Sequence, residues 1–195
     1  MRKLLHPIYV RLTHWVNAAT VLVMIGSGLQ IHNAYPIVPF TFPSWMTIGD
    51  WLGGALLWHF AAMWVFTLNL VVMVVLGVFT GRYRLMLLPV SPRMVISDVT
   101  AALSGRGLHD PSGRYNAVQK VLYLGILMTL VVLVASGLAL WKPVQFQGLT
   151  AAMGGFQGAR VVHFAAMAGV VAFLILHVAM AILVPRTLRQ MTLGR

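Results

Sequence analysis

Four long apolar segments dominate the sequence and leave few folds open to it. They cover residues 15–31, 51–79, 121–141 and 161–184, and none of them contains Asp, Glu, Lys or Arg. A helix of about 20 apolar residues crosses the roughly 30 Å hydrocarbon core of a bilayer while satisfying its own backbone hydrogen bonds. With 59% hydrophobic and only 9% charged residues, the chain is predicted to be an all-α membrane protein with a four-transmembrane-helix bundle.

The positive charges predict the orientation of this bundle. Three precede the first segment, six lie between the second and the third, and three follow the fourth, whereas only Lys142 and Arg160 fall in the other two loops. Because cytoplasmic loops carry the excess of Lys and Arg, both termini are expected in the cytoplasm. We therefore predict a multi-pass protein of a bacterial inner membrane, whose net charge of +11 reflects topology and implies no nucleic-acid partner.

The chain is expected to form one membrane domain over residues 1–195. Spans are predicted at about 12–31, 51–79, 117–141 and 160–184. Ser91 can cap a helix and Pro92 suits its first position, so a short helix at about 92–104 is predicted to lie on the membrane surface. No internal repeat is evident.

Few side chains remain that could perform chemistry. The sequence contains no cysteine and no glutamate, and its three aspartates lie outside the spans. Disulfides and cysteine-ligated clusters are thereby excluded. Ion-coupled transport is disfavoured because it usually needs carboxylates at membrane depth.

The seven histidines divide into two groups. Those in loops or termini are expected to be solvated: His6, His32 and His109. Those in or at the ends of spans are His14, His59, His163 and His177. An imidazole inside a membrane is costly unless it is paired, so the second group is predicted to be functional.

The spacing of the last two histidines predicts how the group is arranged. His163 and His177 are 14 residues apart, which places them on one helix face and about 21 Å apart along the axis. The topology brings His14 to the depth of His177, and His59 to the depth of His163. Two facing pairs predict two bis-histidine b-type haems in the bundle, with the four histidines as ligands of the haem iron.

Several motifs resemble the di-haem cytochrome b membrane subunits of nickel hydrogenases and formate dehydrogenases. They are "RLTHW", "WHF", "YNAVQK", "SGLALWKPVQ" and the His-x13-His of the fourth span. The resemblance covers all four spans and implies the same ligand pairs, with a quinone bound as substrate beside the cytoplasmic-side haem.

Four further residues become candidates for cofactor contacts. Asn116 matches the asparagine found at the quinone site of this family, and Gln119 can also bond a quinone carbonyl; the alternative is that both are ordinary polar residues at a helix start. Arg11 and Arg160 are candidates to neutralise haem propionates, although an arginine at a membrane boundary can also be a simple anchor.

The loops "KPVQF" and "GGFQGAR" are similar to those of cytochrome b subunits that accompany periplasmic molybdopterin oxidoreductases. The resemblance implies an electron-transfer subunit between a periplasmic partner, either a molybdopterin oxidoreductase or a hydrogenase-like subunit, and membrane quinone. Two alternatives stay open: a self-contained superoxide:quinone oxidoreductase, and a haem-free transporter or scaffold. The direction of electron flow and the formation of a homo-oligomer are also left open.

Overall fold

The computed structural model describes residues 7–87, 90–104 and 117–194, and these residues form helices and no strand. The helices are α1 (Ile8–Ala34), α2 (Leu52–Phe79), α3 (Arg82–Leu87), α4 (Pro92–Leu103), α5 (Ala117–Trp141), α6 (Gln147–Ala152), α7 (Gly155–Leu183) and α8 (Pro185–Leu193), with one 3₁₀ turn at Ser44–Met46. Four of them, α1, α2, α5 and α7, are long and apolar enough to cross a membrane. The prediction of an all-α protein with four membrane-spanning helices is confirmed.

The spanning helices are longer than the membrane requires. They contain 25 to 29 residues, which corresponds to about 38 to 44 Å. α1 extends beyond the predicted span 12–31 at both ends, and α7 begins before the predicted span 160–184. Hydropathy marks only the part inside hydrocarbon, whereas helical hydrogen bonding continues past it. Pro185 separates α7 from α8, since its ring cannot continue a helix but suits the first turn of a new one.

The four spanning helices form two hairpins. α1 packs along α2, and α5 packs along α7 with α6 in the connection between them. Among the described residues, close backbone contacts between spanning helices are concentrated within each hairpin. Contacts between the hairpins are therefore made mainly by side chains.

The beginning of α1 and the end of α8 meet at one end of the bundle, called the terminal end below. Arg11 Nη1 donates to Thr192 O at 2.8 Å, and Trp15 Nε1 donates to Met191 O at 3.1 Å. These bonds satisfy carbonyl groups in the last turn of α8 that have no partner within the helix. The side of the membrane on which this end lies stays a prediction.

The segment 35–51 folds back onto α1 at the opposite end, called the loop end. Ile48 N donates to Gly26 O at 3.1 Å, and the side chain of Asn33 exchanges two 2.8 Å hydrogen bonds with the backbone of Phe42. A Cβ on Gly26 would lie 2.8 Å from Ile48 Cγ1. The loop can therefore pack this closely only against a glycine.

α4 lies where a short helix was predicted, and it also supports the start of α5. Ser91 Oγ accepts a bond from Met94 N at 3.3 Å at the start of α4. Asp98 Oδ2 accepts a bond from Ala117 N at 2.6 Å, which places a carboxylate at the positive end of α5. The location of α4 on a membrane surface stays a prediction.

Candidate functional site

The structure brings the four membrane-depth histidines together in two pairs. The ring centres of His14 and His177 are 5.9 Å apart, and those of His59 and His163 are 6.3 Å apart. Each pair connects α7 to a helix of the other hairpin. These are the partners that topology predicts, and the ligation of iron by them stays a prediction.

The spacing within both pairs fits one metal ion between two imidazoles. A metal–imidazole bond is about 2 Å long and each ring centre lies about 1 Å beyond its nitrogen, so two rings on opposite sides of an ion have centres about 6 Å apart. Within the described parts of the chain, no group of three or more His, Asp or Glu side chains could hold a bare ion. A two-histidine arrangement therefore suits an ion that carries its other ligands with it, as haem iron does.

His59 is oriented by a serine of the neighbouring helix. Ser27 is fully buried in α1, and its hydroxyl donates back to Val23 O at 2.7 Å. Because the hydroxyl has only one hydrogen, its oxygen is left to accept a bond from His59 Nδ1 at 3.0 Å. With the proton on Nδ1, Nε2 keeps its lone pair for a metal.

The second hairpin repeats this arrangement. Ser136 is fully buried in α5, donates to Val132 O at 2.7 Å, and lies 3.0 Å from His163 Nδ1. His163 Nδ1 also lies 3.1 Å from Leu133 O. The two hairpins therefore share one local Ser–His contact.

Each serine is followed by a glycine that lies against the same imidazole. A Cβ on Gly28 would be 3.6 Å from His59 Cε1, and one on Gly137 would be 3.3 Å from His163 Cε1. The sequence predicts Gly28 and Gly137 to lie near the histidines, but sequence reasoning missed the serine that precedes each of them. The signal was available, because Ser-Gly-Leu occurs at both 27–29 and 136–138.

The His14/His177 pair lies among aromatic side chains. His177 stacks on Phe173 with ring centres 5.7 Å apart and 14° between the planes. His14 meets Trp15 edge-on at 5.3 Å. Aromatic contacts thus accompany the His14/His177 pair, whereas serines accompany the His59/His163 pair.

The two candidate propionate ligands lie near opposite ends of the bundle. Arg11 precedes His14 by one turn. It bonds to Thr192, and its buried Nε has no hydrogen-bond partner within the described parts of the chain. Arg160 precedes His163 by one turn, donates to Tyr35 O and to Gln157 Oε1, and lies 4.4 Å over the Tyr35 ring. Both guanidinium groups retain donors beyond these bonds, because each has five N–H groups.

The structure describes one of the two candidate quinone ligands. Asn116 lies outside the described residues. Gln119 lies in the first turn of α5 and is exposed. The structure thus leaves the quinone site a prediction.

One histidine is placed differently from the prediction. His32, expected to be solvated in a loop, lies in the last turn of α1 and is only 4% exposed. Its Nε2 accepts bonds from Ile37 N at 3.1 Å and Val38 N at 3.4 Å, and its ring stacks on Phe164 at 5.1 Å. The loop that folds back over α1 buries it, and hydropathy does not report such a contact. His6 and His109 lie outside the described residues.

Comparisons with known proteins show the family of the chain. The profile of the prokaryotic cytochrome b561 family matches residues 5–194. A chain of Azospira oryzae, named as a candidate protein-methionine-sulfoxide reductase subunit, YedZ1, is 44% identical over 190 residues, which is 97% of this chain and 96% of that relative. The chain belongs to the prokaryotic cytochrome b561 family. No solved structure matches it.

Family membership confirms the resemblance given by the sequence motifs. It implies that the chain binds haem b and serves as a membrane subunit in electron transfer. The expected location, a multi-pass protein of the inner membrane, agrees with the family and with the four apolar helices. A haem-free transporter or scaffold is therefore wrong for this chain.

Proposed function

We propose that this chain is a di-haem cytochrome b that transfers electrons through the membrane between a periplasmic oxidoreductase and the quinone pool. The observation that carries the proposal is the presence of two histidine pairs with ring centres 5.9 and 6.3 Å apart. Both distances suit one iron per pair.

The residues around each pair support the binding of a haem. His59 and His163 donate from Nδ1 to a neighbouring helix, so Nε2 is available to the iron. Arg11 offers a buried donor beside the His14/His177 pair. When bound, haem b supplies reversible one-electron chemistry, and the chain supplies position, polarity and access.

The depth of the two pairs supports transfer across the membrane. The 14-residue separation of His163 and His177 along α7 corresponds to about 21 Å, most of the hydrocarbon core. By the distribution of positive charge, the His14/His177 pair is on the cytoplasmic side and the His59/His163 pair on the periplasmic side. A periplasmic partner would then exchange electrons with the latter pair.

The relative from Azospira oryzae suggests the partner. That protein is named as a subunit of a protein-methionine-sulfoxide reductase, and we propose a partner of the same kind here, with molybdopterin as its cofactor. Reduction of a sulfoxide to a thioether consumes two electrons and two protons and releases water. Electrons would therefore flow from quinol to the partner.

Quinol oxidation is assigned to the cytoplasmic side, near the start of α5. Gln119 is exposed there, so its amide can bond a quinol or quinone oxygen that arrives from the lipid. Asn116, three residues earlier in the sequence, is proposed as the second contact.

The superoxide:quinone oxidoreductase alternative gains no support from the loop end. That function needs an open cluster of cations to attract superoxide. Lys142 Nζ lies 4.9 Å over the Trp141 ring, and Arg160 bonds to Tyr35 and Gln157. The two cations are engaged in separate contacts instead.

The test counts haems and assigns them to histidine pairs. A dithionite-reduced minus oxidised spectrum, with pyridine haemochrome quantification, is expected to give about two b-type haems per chain. His163→Ala and His177→Ala should each lose one haem, with different absorption bands, because the two sites use different ends of α7. His109→Ala, predicted to be solvated, serves as the control. One haem in the wild-type protein, or the loss of both haems from either variant, would contradict the proposal.

A further inference from the structure

We infer that His32 is a haem-binding residue that donates a hydrogen bond to a propionate carboxylate of the haem held by His59 and His163. This inference rests on the proposed function. It concerns a residue whose position in the sequence, next to a loop, suggests only a solvated side chain.

The protonation of His32 follows from its hydrogen bonds. Nε2 accepts bonds from the backbone N–H groups of Ile37 and Val38, so it carries no proton in the neutral ring. The proton is then on Nδ1, which is buried and has no hydrogen-bond partner among the residues that the structure describes. The side chain of the adjacent Asn33 is bonded to the backbone of Phe42 instead. Buried donors are almost always paired in folded proteins, so Nδ1 calls for an acceptor that the described part of the chain does not supply.

The position of His32 shows where that acceptor belongs. His32 follows Gly28 by four residues, so it lies on the same face of α1 and about 6 Å closer to the loop end. Gly28 faces the ring of His59. On its other side His32 stacks on Phe164, the residue after His163. The imidazole therefore lies between the two hairpins, one turn beyond the His59/His163 pair.

The surroundings select a carboxylate as the acceptor. Arg160 donates to Tyr35 O, three residues after His32, and its guanidinium lies over the Tyr35 ring. A neutral N–H group beside a cation is a favourable setting for an anionic oxygen, and hydrogen bonds to charged acceptors are the stronger ones. The polar groups at the edge of haem b are its carboxylates. An ordered water is the competing acceptor, and the experiment distinguishes the two.

The experiment uses the His177→Ala protein, which should retain only the haem of the His59/His163 pair. In it, His32→Phe keeps an aromatic ring against Phe164 but removes the N–H group. We expect the propionate bending band in the resonance Raman spectrum to shift to lower frequency. Transfer of haem to apomyoglobin should become about tenfold faster, because a hydrogen bond to a charged group is lost.

Three further variants complete the test, and the first two separate this role from support of the loop. Asn33→Leu removes the two bonds to Phe42 but leaves the N–H group, so the Raman band should stay at the frequency of the His177→Ala protein. His32→Gln retains a donor and should restore the band. His32→Met, which also lacks an N–H group, repeats the test with a flexible side chain if the phenylalanine variant folds poorly.

An unchanged propionate band in both His32→Phe and His32→Met would overturn the inference and leave water as the acceptor. Equal band shifts in Asn33→Leu and His32→Phe would also overturn it, by assigning the effect to the loop. Failure of the proposed function gives a different result: the His177→Ala protein would then contain no haem before any change at His32.

Discussion

Ser27 and Ser136 make equivalent hydrogen bonds in the two hairpins, and this equivalence can be tested. Each accepts a bond from Nδ1 of one imidazole of the His59/His163 pair. Replacing a hydrogen-bond partner of a metal-bound histidine typically weakens metal binding about 10- to 100-fold. Ser27→Ala and Ser136→Ala should therefore weaken the binding of the same haem, measured by the rate of haem transfer to apomyoglobin.

Thr129→Val is the matched control for this pair. The Thr129 hydroxyl also bonds back to its own helix, to Gly125 O at 2.9 Å, but among the described residues it makes no hydrogen bond to a histidine. Its haem content should equal that of the wild type. If the serine variants instead released the haem of the His14/His177 pair, the assigned role would be wrong.

Gly28 and Gly137 provide a second comparison between the hairpins. An added Cβ at Gly137 would lie 3.3 Å from the imidazole of His163, whereas at Gly28 the distance to His59 would be 3.6 Å. At 3.3 Å the imidazole of His163 would have to move, whereas 3.6 Å is an ordinary van der Waals contact. Gly137→Ala should lower the haem content and change the spectrum more than Gly28→Ala does; the reverse order, or equal effects, would contradict the geometry.

The 35–51 loop can pack closely on α1 because Gly26 has no side chain. Gly26→Ala would place a Cβ 2.8 Å from Ile48 and should destabilise the protein by about 1–3 kcal/mol through overpacking. Loss of haem absorbance on heating measures the effect. Ile48→Ala in the same chain should restore much of the lost stability, because it frees the space.

Gly125→Ala is the control for this change. Among the described residues, no atom outside the local helix lies within 4 Å of the added Cβ, and alanine is favoured over glycine in a helix by about 0.5–1 kcal/mol. This variant should be as stable as the wild type or slightly more so. Equal destabilisation by Gly26→Ala and Gly125→Ala would show that the loop does not pack as described.

Features that local sequence specifies could be predicted, whereas features that depend on contacts between distant residues could not. The spans follow from the lengths of apolar segments, and the histidine partners follow from counting depth along those spans. The burial of His32 depends on how the 35–51 loop folds. The bond from Arg11 to Thr192 joins two positions that are far apart in the sequence. Ser27 taken alone gives no signal, because a hydroxyl that bonds back to its own helix is common anywhere in a membrane helix. Only the second Ser-Gly-Leu, at 136–138, sets it apart.

The orientation of the whole molecule decides which histidine pair meets the partner, and the sequence offers a direct test of it. The chain contains no cysteine, so a single introduced cysteine reports its own side of the membrane. Val144, 82% exposed between α5 and α6, lies at the loop end, and Met94, 42% exposed, lies in α4 of the 80–120 loop. In intact spheroplasts, a membrane-impermeant maleimide should label Val144→Cys, whereas it should label Met94→Cys only after the membrane is opened. The opposite pattern would place the His59/His163 pair on the cytoplasmic side, where a periplasmic reductase could not accept electrons from it.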